Sequence, residues 1–423
     1  MITEQENELL TRVGRGTPMG NLQRRYWHVI GAVSEMTDRW TKRVRLLGED
    51  LVLYKNRRGG FGLIAEVCPH RRASLAYGIP TAEGIRCPYH GWAFDGAGRC
   101  IEQPNEPDGS SFKEKVATDG YPVEILGGLI WAYLGPQPAP LLPRWDGLAG
   151  ESTIQICGWN VVNCNWLQIM ENSVDPVHTE WLHGALLEFR REKQGTKFAI
   201  ASKHLKIDFE EFEYGVYKRR LLAGHSEDSD DWRVGHPVLF PNILAVGSGG
   251  GDVWKFHRYQ IRVPIDDEHT MHYWYSAYAP PGGVDVPPHL LNNLDYFEIP
   301  TRDANGEYLL DIINVQDVMA WETQGPIAQR HLEKLGTTDI GVIHYRNMLK
   351  RELANIAAGK DPMGTVRDPA KNAVIQFALE RNKAHYADSL ERGFRHSPAK
   401  YSALADDICA VFAAFSKVPI TAH

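Results

Sequence analysis

Long apolar segments and an excess of positive charge are both missing from this sequence of 423 residues. No run of about 18 apolar residues occurs, which argues against a membrane-spanning helix. The opening MITEQENELL also lacks the basic and apolar parts of a secretory signal. The formal net charge is −7, whereas nucleic-acid partners need a concentrated basic face. We therefore predict a cytoplasmic protein with neither a nucleic-acid partner nor a membrane partner.

Cysteine is scarce, with six residues, and no G-x-G-x-x-G loop is present to hold a dinucleotide. The cysteines without a neighbouring histidine have no disulfide-framework spacing and are predicted to be buried thiols: Cys100, Cys157, Cys164 and Cys409. A hydrophobic fraction of 43% and a charged fraction of 23% are typical of a globular protein. The length allows two or more domains.

The other two cysteines each lie close to a histidine. Cys68 and His70 form C-x-H, sixteen residues follow, and Cys87 and His90 form C-x2-H. A [2Fe–2S] centre with two thiolates on one iron and two imidazoles on the other needs this division. The alternative is a structural Cys2His2 zinc site, but zinc modules usually take both sulfurs from one turn and both histidines from another. Each of these two motifs, which we call the cysteine–histidine arms, combines one cysteine with one histidine. The pattern therefore favours the iron–sulfur centre.

The segments CPHRRASLAYG and CPYHGWAFDGAGRC resemble the Rieske domain of aromatic-ring oxygenases, including Gly91 and Trp92 after the last histidine. The resemblance implies a Rieske [2Fe–2S] cluster whose ligands are Cys68, His70, Cys87 and His90. Such a cluster moves one electron at a time. A second group is needed for the chemistry.

A second candidate metal motif lies about ninety residues further on, where Asp175, His178 and His183 form D-x2-H-x4-H. Two histidines and one carboxylate form the facial triad of non-haem iron(II) enzymes. On a regular α-helix, residues five apart point about 140° away from each other. The two histidines can share one ion only if the helix is distorted, as by a π-bulge, or if it ends near Gly184.

The segment ENSVDPVHTEWLH resembles the iron-binding helix of Rieske oxygenases, and NVQDVMAWETQGPI resembles the stretch that supplies the third ligand in the phthalate-dioxygenase-like group. The resemblance implies that His178, His183 and Asp317 bind mononuclear iron, with Asp311 and Glu322 as alternatives to Asp317. It also implies that Asp175 bridges the iron site and the cluster of a neighbouring subunit, within a ring of three subunits.

Hydrophobic patterning divides the chain into three parts. Residues 1–40 are expected to form a helical segment that packs on the catalytic domain, and 41–138, with its period-2 alternation, a small all-β Rieske domain. A proline-rich linker, Gly135–Pro143, precedes a catalytic domain over 139–423. The expected class is α+β, with a curved antiparallel sheet around a long helix (helix-grip, START-like). Helices are predicted at Asn163–His183, Gln316–Glu333, Tyr345–Ala358 and Lys371–Ser389.

The resemblance implies a terminal oxygenase that uses O2 and NAD(P)H-derived electrons, delivered by a separate flavin or iron–sulfur reductase, with or without a ferredoxin. The substrate would be an aromatic carboxylate, and hydroxylation, dihydroxylation and O-demethylation all remain open. The alternative is a Rieske electron-transfer protein without oxygenase chemistry. That alternative predicts no iron triad and no large second domain.

A buried carboxylate needs a cationic partner. The candidates on the predicted pocket strands are Lys218, Arg219, Arg220 and Arg258. Neighbours along a strand face opposite ways, so which of them point inward is open. His257 and His272 are further candidates for a hydrogen bond to substrate.

Overall fold

The computed structural model describes residues 2–193, 195, 202–249, 254–291, 293–380 and 390–415. Two groups of strands organise this part of the chain, a small β region within residues 27–133 and a large sheet within residues 154–298. Among the described helices, none is both long enough and apolar enough to span a membrane.

The small β region consists of short strands, all paired antiparallel. Its strands are β1 Trp27–Ala32, β2 Thr41–Leu46, β3 Glu49–Lys55, β4 Phe61–Ala65, β5 Ile79–Pro80, β6 Gly84–Arg86, β7 Ala93–Asp95, β8 Cys100–Glu102, β9 Gly120–Tyr121, β10 Val123–Leu126 and β11 Leu129–Tyr133. They form three sheets, in the orders β1-β11-β10, β2-β3-β4-β9 and β5-β6-β7-β8. The loops that carry the cysteine–histidine arms follow β4 and β6.

The large sheet has the order β13-β14-β15-β16-β17-β18-β12-β19. Its strands are β12 Ile154–Val162, β13 His204–Phe212, β14 Gly215–Leu222, β15 His236–Leu239, β16 Ile243–Ser248, β17 Lys255–Pro264, β18 Thr270–Ala279 and β19 Asp295–Glu298. Only β19, at the edge, pairs in parallel with its neighbour.

Helices flank these sheets: α1 Glu4–Thr11, α2 Pro18–Gln23, α3 Asp146–Ala149, α4 Trp166–Ser173, a π-helix at Thr179–Ala185, α5 Leu186–Lys193, α6 Asp230–Arg233, α7 Ile313–Glu322, α8 Ile340–Ala357, α9 Leu390–Arg395 and α10 Ala405–Phe415. The start of α1 follows from a capping box, in which Thr3 and Glu6 bond each other's backbone N–H. The start of α2 is capped by Thr17, whose side chain accepts a hydrogen bond from the backbone N–H of Gly20. Pro18 suits the first helical position because the N–H that it lacks has no partner within the helix there.

The two faces of the large sheet meet different partners. Tyr259 on β17 accepts a hydrogen bond from the backbone N–H of Gly147, so this face packs on α3. Arg262 lies on the opposite face, where the charge of Asp317 on α7 acts on it. We call the Arg262 side the inner face, and it is the face that the helices α4 and α7 approach.

The small β region and the large sheet are firmly joined. The β2–β3 turn donates hydrogen bonds from Leu47 N to Pro264 O at 3.0 Å and from Gly48 N to Ile265 O at 2.8 Å. Both turn residues have positive φ, 50° and 76°, as a two-residue hairpin turn requires. A continuous hydrophobic core also includes Trp131 of β11 and Tyr259 of the large sheet.

The α+β class is confirmed, with a small β region beside a larger antiparallel sheet and its helices. Four local predictions were wrong. The helix predicted over Asn163–His183 is interrupted after Ser173 and resumes as the π-helix at Thr179. Trp27–Ala32, expected to be helical, is a fully buried strand paired with β11, and the helix predicted over Gln316–Glu333 ends at Glu322. Of the helix predicted over Lys371–Ser389, only a 3-10 turn at Pro369–Asn372 forms before an extended segment, and residues 381–389 lie outside the described residues.

Candidate metal centres and active site

The cysteine–histidine arms bring together two pairs of side chains. Cys68 and Cys87 are free thiols, 1% and 2% exposed, and their side chains interact with each other. The rings of His70 and His90 are 4.5 Å apart between centroids and lie nearer the surface. One side of the site therefore offers sulfur and the other offers imidazole nitrogen.

Each arm is a tight turn closed by its own backbone. The amide of Arg72 donates to Cys68 O at 2.9 Å, and the amide of Gly91 donates to Cys87 O at 3.0 Å. Both donors have positive φ, 62° at Arg72 and 78° at Gly91, a conformation that costs little only at glycine. Trp92 stacks on the ring of His70 with centroids 4.3 Å apart, and so it fixes the plane of that imidazole.

This donor set fits a Rieske [2Fe–2S] cluster, in which thiolates hold one iron and imidazoles the other. Burial, the largest influence, raises the pKa of Cys68 to about 11, although the backbone N–H of His70 favours the thiolate. Two buried thiols in contact need positive charge before both can ionise. His90 Nδ1 is buried without a protein partner in the described residues, as expected of a nitrogen available for a ligand or a partner.

A second group of ligating atoms lies between the π-helix and α7. His178, His183 and Asp317 each place one ligand atom within 4.8 Å of the other two. Asp317 Oδ1 is 3.2 Å from His183 Nε2 and 3.7 Å from His178 Nε2. Asp317 and His183 are 8% exposed. Two imidazoles and one carboxylate whose ligand atoms lie this close together fit the facial triad of non-haem iron.

The two histidines converge because the helix between them is a π-helix, Thr179–Ala185. In that geometry hydrogen bonds join residues five apart, so side chains five apart stack on one face. The predicted distortion is therefore confirmed. The alternative that the helix ends at Gly184 is wrong, since the π-helix runs directly into α5.

Gln316 orients one of these histidines. Its Oε1 lies 2.9 Å from His183 Nδ1, and its Nε2 donates to Leu310 O at 2.7 Å. With Nδ1–H donating to Gln316, Nε2 of His183 is left to face Asp317. Burial, the largest influence, lowers the pKa of His183, but Asp317 and Gln316 outweigh it and the net shift is upward. Sequence reasoning missed Gln316, although it directly precedes Asp317.

The alternative carboxylates do not face this group. Asp311 is 54% exposed and lies 3.6 Å from Arg190. Glu322 Oε2 accepts from Arg302 at 2.9 Å and from Tyr308 at 2.7 Å, and Oε1 accepts from the backbone and side-chain N–H groups of Asn163, so both oxygens are occupied. Asp317 is therefore the carboxylate that the fold brings to the histidine pair.

Asp175 lies at the end of α4, beside the triad. Its Oδ2 is 3.5 Å from His178 Nδ1, and its Oδ1 accepts the backbone N–H of Val177 at 2.8 Å. Burial, the largest influence, raises the pKa of Asp175, but His178 and Val177 outweigh it and the net shift is downward. Its side chain remains 27% exposed.

The four basic candidates divide between the faces of the large sheet. Arg219 contacts Glu210 on β13 and is directed away from the triad. Lys218 lies on the inner face, where Asp175 and Asp317 act on its charge. Its burial, the largest influence, lowers its pKa to about 7.

Arg220 and Arg258 share the inner face by strand alternation. Arg258 Nε donates to Ser276 Oγ at 3.1 Å, and its guanidinium lies 4.9 Å from the ring centroid of Trp274. The two histidine candidates separate in the same way. His272 is on the inner face beside Trp321, whereas His257 is on the opposite face beside Asp146. The hypothesis of a substrate contact at His257 is therefore wrong.

Comparisons with known proteins identify the family of this chain. A family model described as the Rieske [2Fe-2S] domain matches residues 26–118, and one described as LigXa C-terminal domain like matches residues 309–381. The 5,5'-dehydrodivanillate O-demethylase oxygenase subunit of a Sphingobium species is 42% identical over 380 residues, which cover 89% of this chain and 86% of the relative. The phthalate 4,5-dioxygenase oxygenase subunit of Pseudomonas putida is 30% identical over 411 residues, covering 89% and 92%.

The structure of a Pseudomonas putida CBB5 NdmA mutant with caffeine matches 85% of this chain and 98% of its own, with a TM-score of 0.60. At 18% identity this match supports the fold alone. Both sequence relatives are oxygenase subunits that match this chain over 86% and 92% of their own length. The alternative of a Rieske protein that only transfers electrons is therefore wrong. The chain belongs to the Rieske non-haem iron oxygenases of the phthalate-dioxygenase-like group, and it is a terminal oxygenase component that uses a [2Fe–2S] cluster, mononuclear iron, O2 and electrons from a separate reductase.

Proposed function

We propose that this chain oxidises an aromatic carboxylate and that its reaction is removal of an O-methyl group from the ring. The single observation that carries this proposal is the 42% identity to an O-demethylase oxygenase subunit over 86% of that relative. In such a reaction O2, NADH and a proton are consumed, and a phenol, formaldehyde, water and NAD+ are formed. Ring dihydroxylation is the second candidate, since a phthalate dioxygenase subunit is 30% identical over 411 residues.

The metal ligands follow from the donor sets. Cys68, Cys87, His70 and His90 would hold the cluster, and His178, His183 and Asp317 would hold the iron. Bound there, the cluster would supply electrons one at a time, and the iron would supply the activation of O2. Gln316 fixes the tautomer of His183 through its hydrogen bond to Nδ1.

The carboxylate of the substrate requires a cation on the inner face. Arg258 is the candidate that we favour, because its guanidinium lies over the ring of Trp274 and no described carboxylate forms an ion pair with it. Its guanidinium can make two parallel hydrogen bonds to a carboxylate, which a lysine cannot. Lys218 and Arg220 lie on the same face, and Lys218 is held near Asp175 and Asp317. Arg219 is excluded by its contact with Glu210.

The assembly we propose is a ring of three subunits, in which the cluster of one subunit lies against the iron site of the next. Asp175 is the bridge that we assign to this interface. Its side chain is beside His178 and partly exposed, and the rings of His70 and His90 lie nearer the surface than the two cysteines. A hydrogen bond from His90 or His70 of a neighbouring subunit to Asp175 would join the two sites. A head-to-tail interface of this kind closes into a ring when the rotation fits.

A flavin or iron–sulfur reductase, alone or with a ferredoxin, is the electron donor that we propose. NAD(P)H supplies those electrons, and a cytoplasmic location fits that supply.

The test is turnover of the reconstituted enzyme with a reductase on a panel of methoxybenzoates, benzoates and phthalates. Formaldehyde released in step with O2 consumed supports O-demethylation, whereas a cis-diol product supports the dioxygenase. In the same assay Asp317→Ala should lose iron and turnover but keep the absorbance of the cluster. Glu322→Ala is the matched control and should keep the iron. Full activity of Asp317→Ala would contradict the ligand assignment.

A further inference from the structure

An arginine outside the donor set holds the cysteine–histidine arm that carries His90. We call residues Cys87–Gly91 the second arm. Arg86, the residue before it, donates from Nη1 to Gly91 O at 2.6 Å. The N–H of Gly91 is bonded as well, since it donates back to Cys87 O at 3.0 Å. Because both backbone groups of Gly91 are bonded, the preceding His90 has little freedom to move.

The segment that follows β8 contacts the same arm from the other side. Asn105 Nδ2 donates to His90 O at 3.4 Å. A Cβ atom added to Gly91 would lie only 3.0 Å from Pro104 Cγ, so the proline ring lies directly against the arm. The second arm is therefore enclosed between Arg86 and the segment after β8.

The side chain of Arg86 also reaches a carboxylate, across the small sheet β5-β6-β7-β8. Arg86 on β6 is paired with Ala93 on β7, and Ala93 is paired with Glu102 on β8. Side chains directly opposite each other lie on the same face of a sheet, and the methyl group of Ala93 leaves room between the two longer ones. Arg86 Nη2 donates to Glu102 Oε2. The guanidinium thus binds the second arm with one nitrogen and Glu102 with another.

The two members of this pair have opposite effects on a cluster. The guanidinium of Arg86 is always charged. The hydrogen bond from Arg86, the largest influence, lowers the pKa of Glu102, so its carboxylate is charged at neutral pH. A cluster gains one negative charge when it is reduced, and nearby charge therefore changes its potential. A cation favours the reduced state and raises the potential, whereas an anion lowers it.

We propose that Arg86 and Glu102 form a charge-compensated clamp, in which Arg86 positions His90 and Glu102 offsets the effect of the guanidinium on the reduction potential of the cluster. Neither residue is a ligand, and both are positioning residues. The electron that the cluster receives from the reductase must leave again for the iron, and an uncompensated cation would hold it on the cluster. This inference rests on the proposed cluster ligands.

Redox titration of the holoenzyme, followed by the EPR signal of the reduced cluster, tests the offset of charge. Glu102→Gln keeps an oxygen that can accept from Arg86 but removes the negative charge, so the potential should rise. Arg86→Gln removes the positive charge, so the potential should fall. Each shift should be about three- to tenfold in the equilibrium between oxidised and reduced cluster, or about 28–59 mV for one electron.

Arg86→Lys separates the charge from the geometry. A lysine keeps the positive charge, but it lacks the planar fork that binds Gly91 O and Glu102 together. The potential should stay within about twofold of the wild-type equilibrium, because the charge is kept. The absorbance of the cluster should however decay faster in the presence of an iron chelator, because His90 is held less firmly. Wild-type decay in this variant would overturn the positioning role of Arg86.

Arg99→Gln is the matched control. Arg99 also pairs with a carboxylate, that of Asp95, but at the opposite end of the β7–β8 hairpin from Glu102. This variant should keep the potential and the decay rate of the wild type. The inference is overturned if Glu102→Gln and Arg86→Gln shift the potential in the same direction, if neither shifts it, or if Arg99→Gln shifts it as much as Arg86→Gln. A wild-type protein without a Rieske spectrum would contradict the proposed ligands, and this inference with them.

Discussion

Replacing Gln316 by leucine should weaken iron binding without touching any ligand. Leucine has a similar size but can neither accept from His183 Nδ1 nor donate to Leu310 O, two contacts of 2.9 Å and 2.7 Å. His183 is 8% exposed, so water cannot easily replace the acceptor. Its ring would be free to rotate and to move its proton to Nε2, the nitrogen that faces Asp317.

The size of the effect follows from these contacts. Loss of the partner that orients a metal-bound histidine typically costs 10- to 100-fold in metal affinity, about 1.4–2.8 kcal/mol. Two unpaired buried groups would also lower the stability of the iron-free protein by about 1–3 kcal/mol. The measurement is a titration of iron-depleted protein with Fe(II) under argon, with iron per subunit determined after gel filtration. The absorbance of the cluster should not change.

Gln324→Leu is the matched control, since Gln324 lies just after the same helix and only caps Ala320 O. It should bind iron like the wild type. If Gln316→Leu also bound Fe(II) with wild-type affinity, the orienting role of Gln316 would be refuted. Equal loss in both variants would instead indicate a general weakening of α7.

Three further predictions concern other parts of the molecule. Asp175→Asn should keep both metals but slow reoxidation of the reduced cluster in stopped-flow experiments, and an unchanged rate would contradict its bridging role. His90→Ala should abolish the Rieske absorbance and its EPR signal, whereas stoichiometric zinc in a colourless wild-type protein would disprove the cluster. Glu171→Gln should lower stability by about 3–5 kcal/mol in urea unfolding, because it leaves two buried arginines, Arg330 and Arg346, without their carboxylate. Burial raises the pKa of Glu171, but the arginines outweigh it and hold it below the ordinary value, so this stability is present at neutral pH and is lost as pH falls through the lowered pKa.

The metal sites could be predicted from sequence because their ligands lie in short local motifs. The spacing of His178 and His183 even predicted a distorted helix, since no regular α-helix aligns residues five apart. Asp317 was inferred only through family resemblance. Nothing in its local sequence distinguishes it from Glu322, and the fold separates them by giving Glu322 its own partners, Arg302 and Tyr308.

Other features depend on contacts that a single sequence does not reveal. Trp27–Ala32 is a strand because it pairs with β11, about a hundred residues away, and tertiary pairing overrides local pattern. The four basic candidates could not be sorted until the register of β14 and β17 was known.

The β2–β3 turn that bonds to the β17–β18 turn has a kinetic consequence. Through Leu47 and Gly48 the small β region is fastened to the large sheet by main-chain hydrogen bonds, and a shared apolar core lies behind them. The cluster therefore cannot swing as a tethered shuttle between a reductase and the iron of its own chain. Electron transfer between the metals then takes place across a fixed gap, and its rate should not change when glycerol or sucrose increases the viscosity of the solvent.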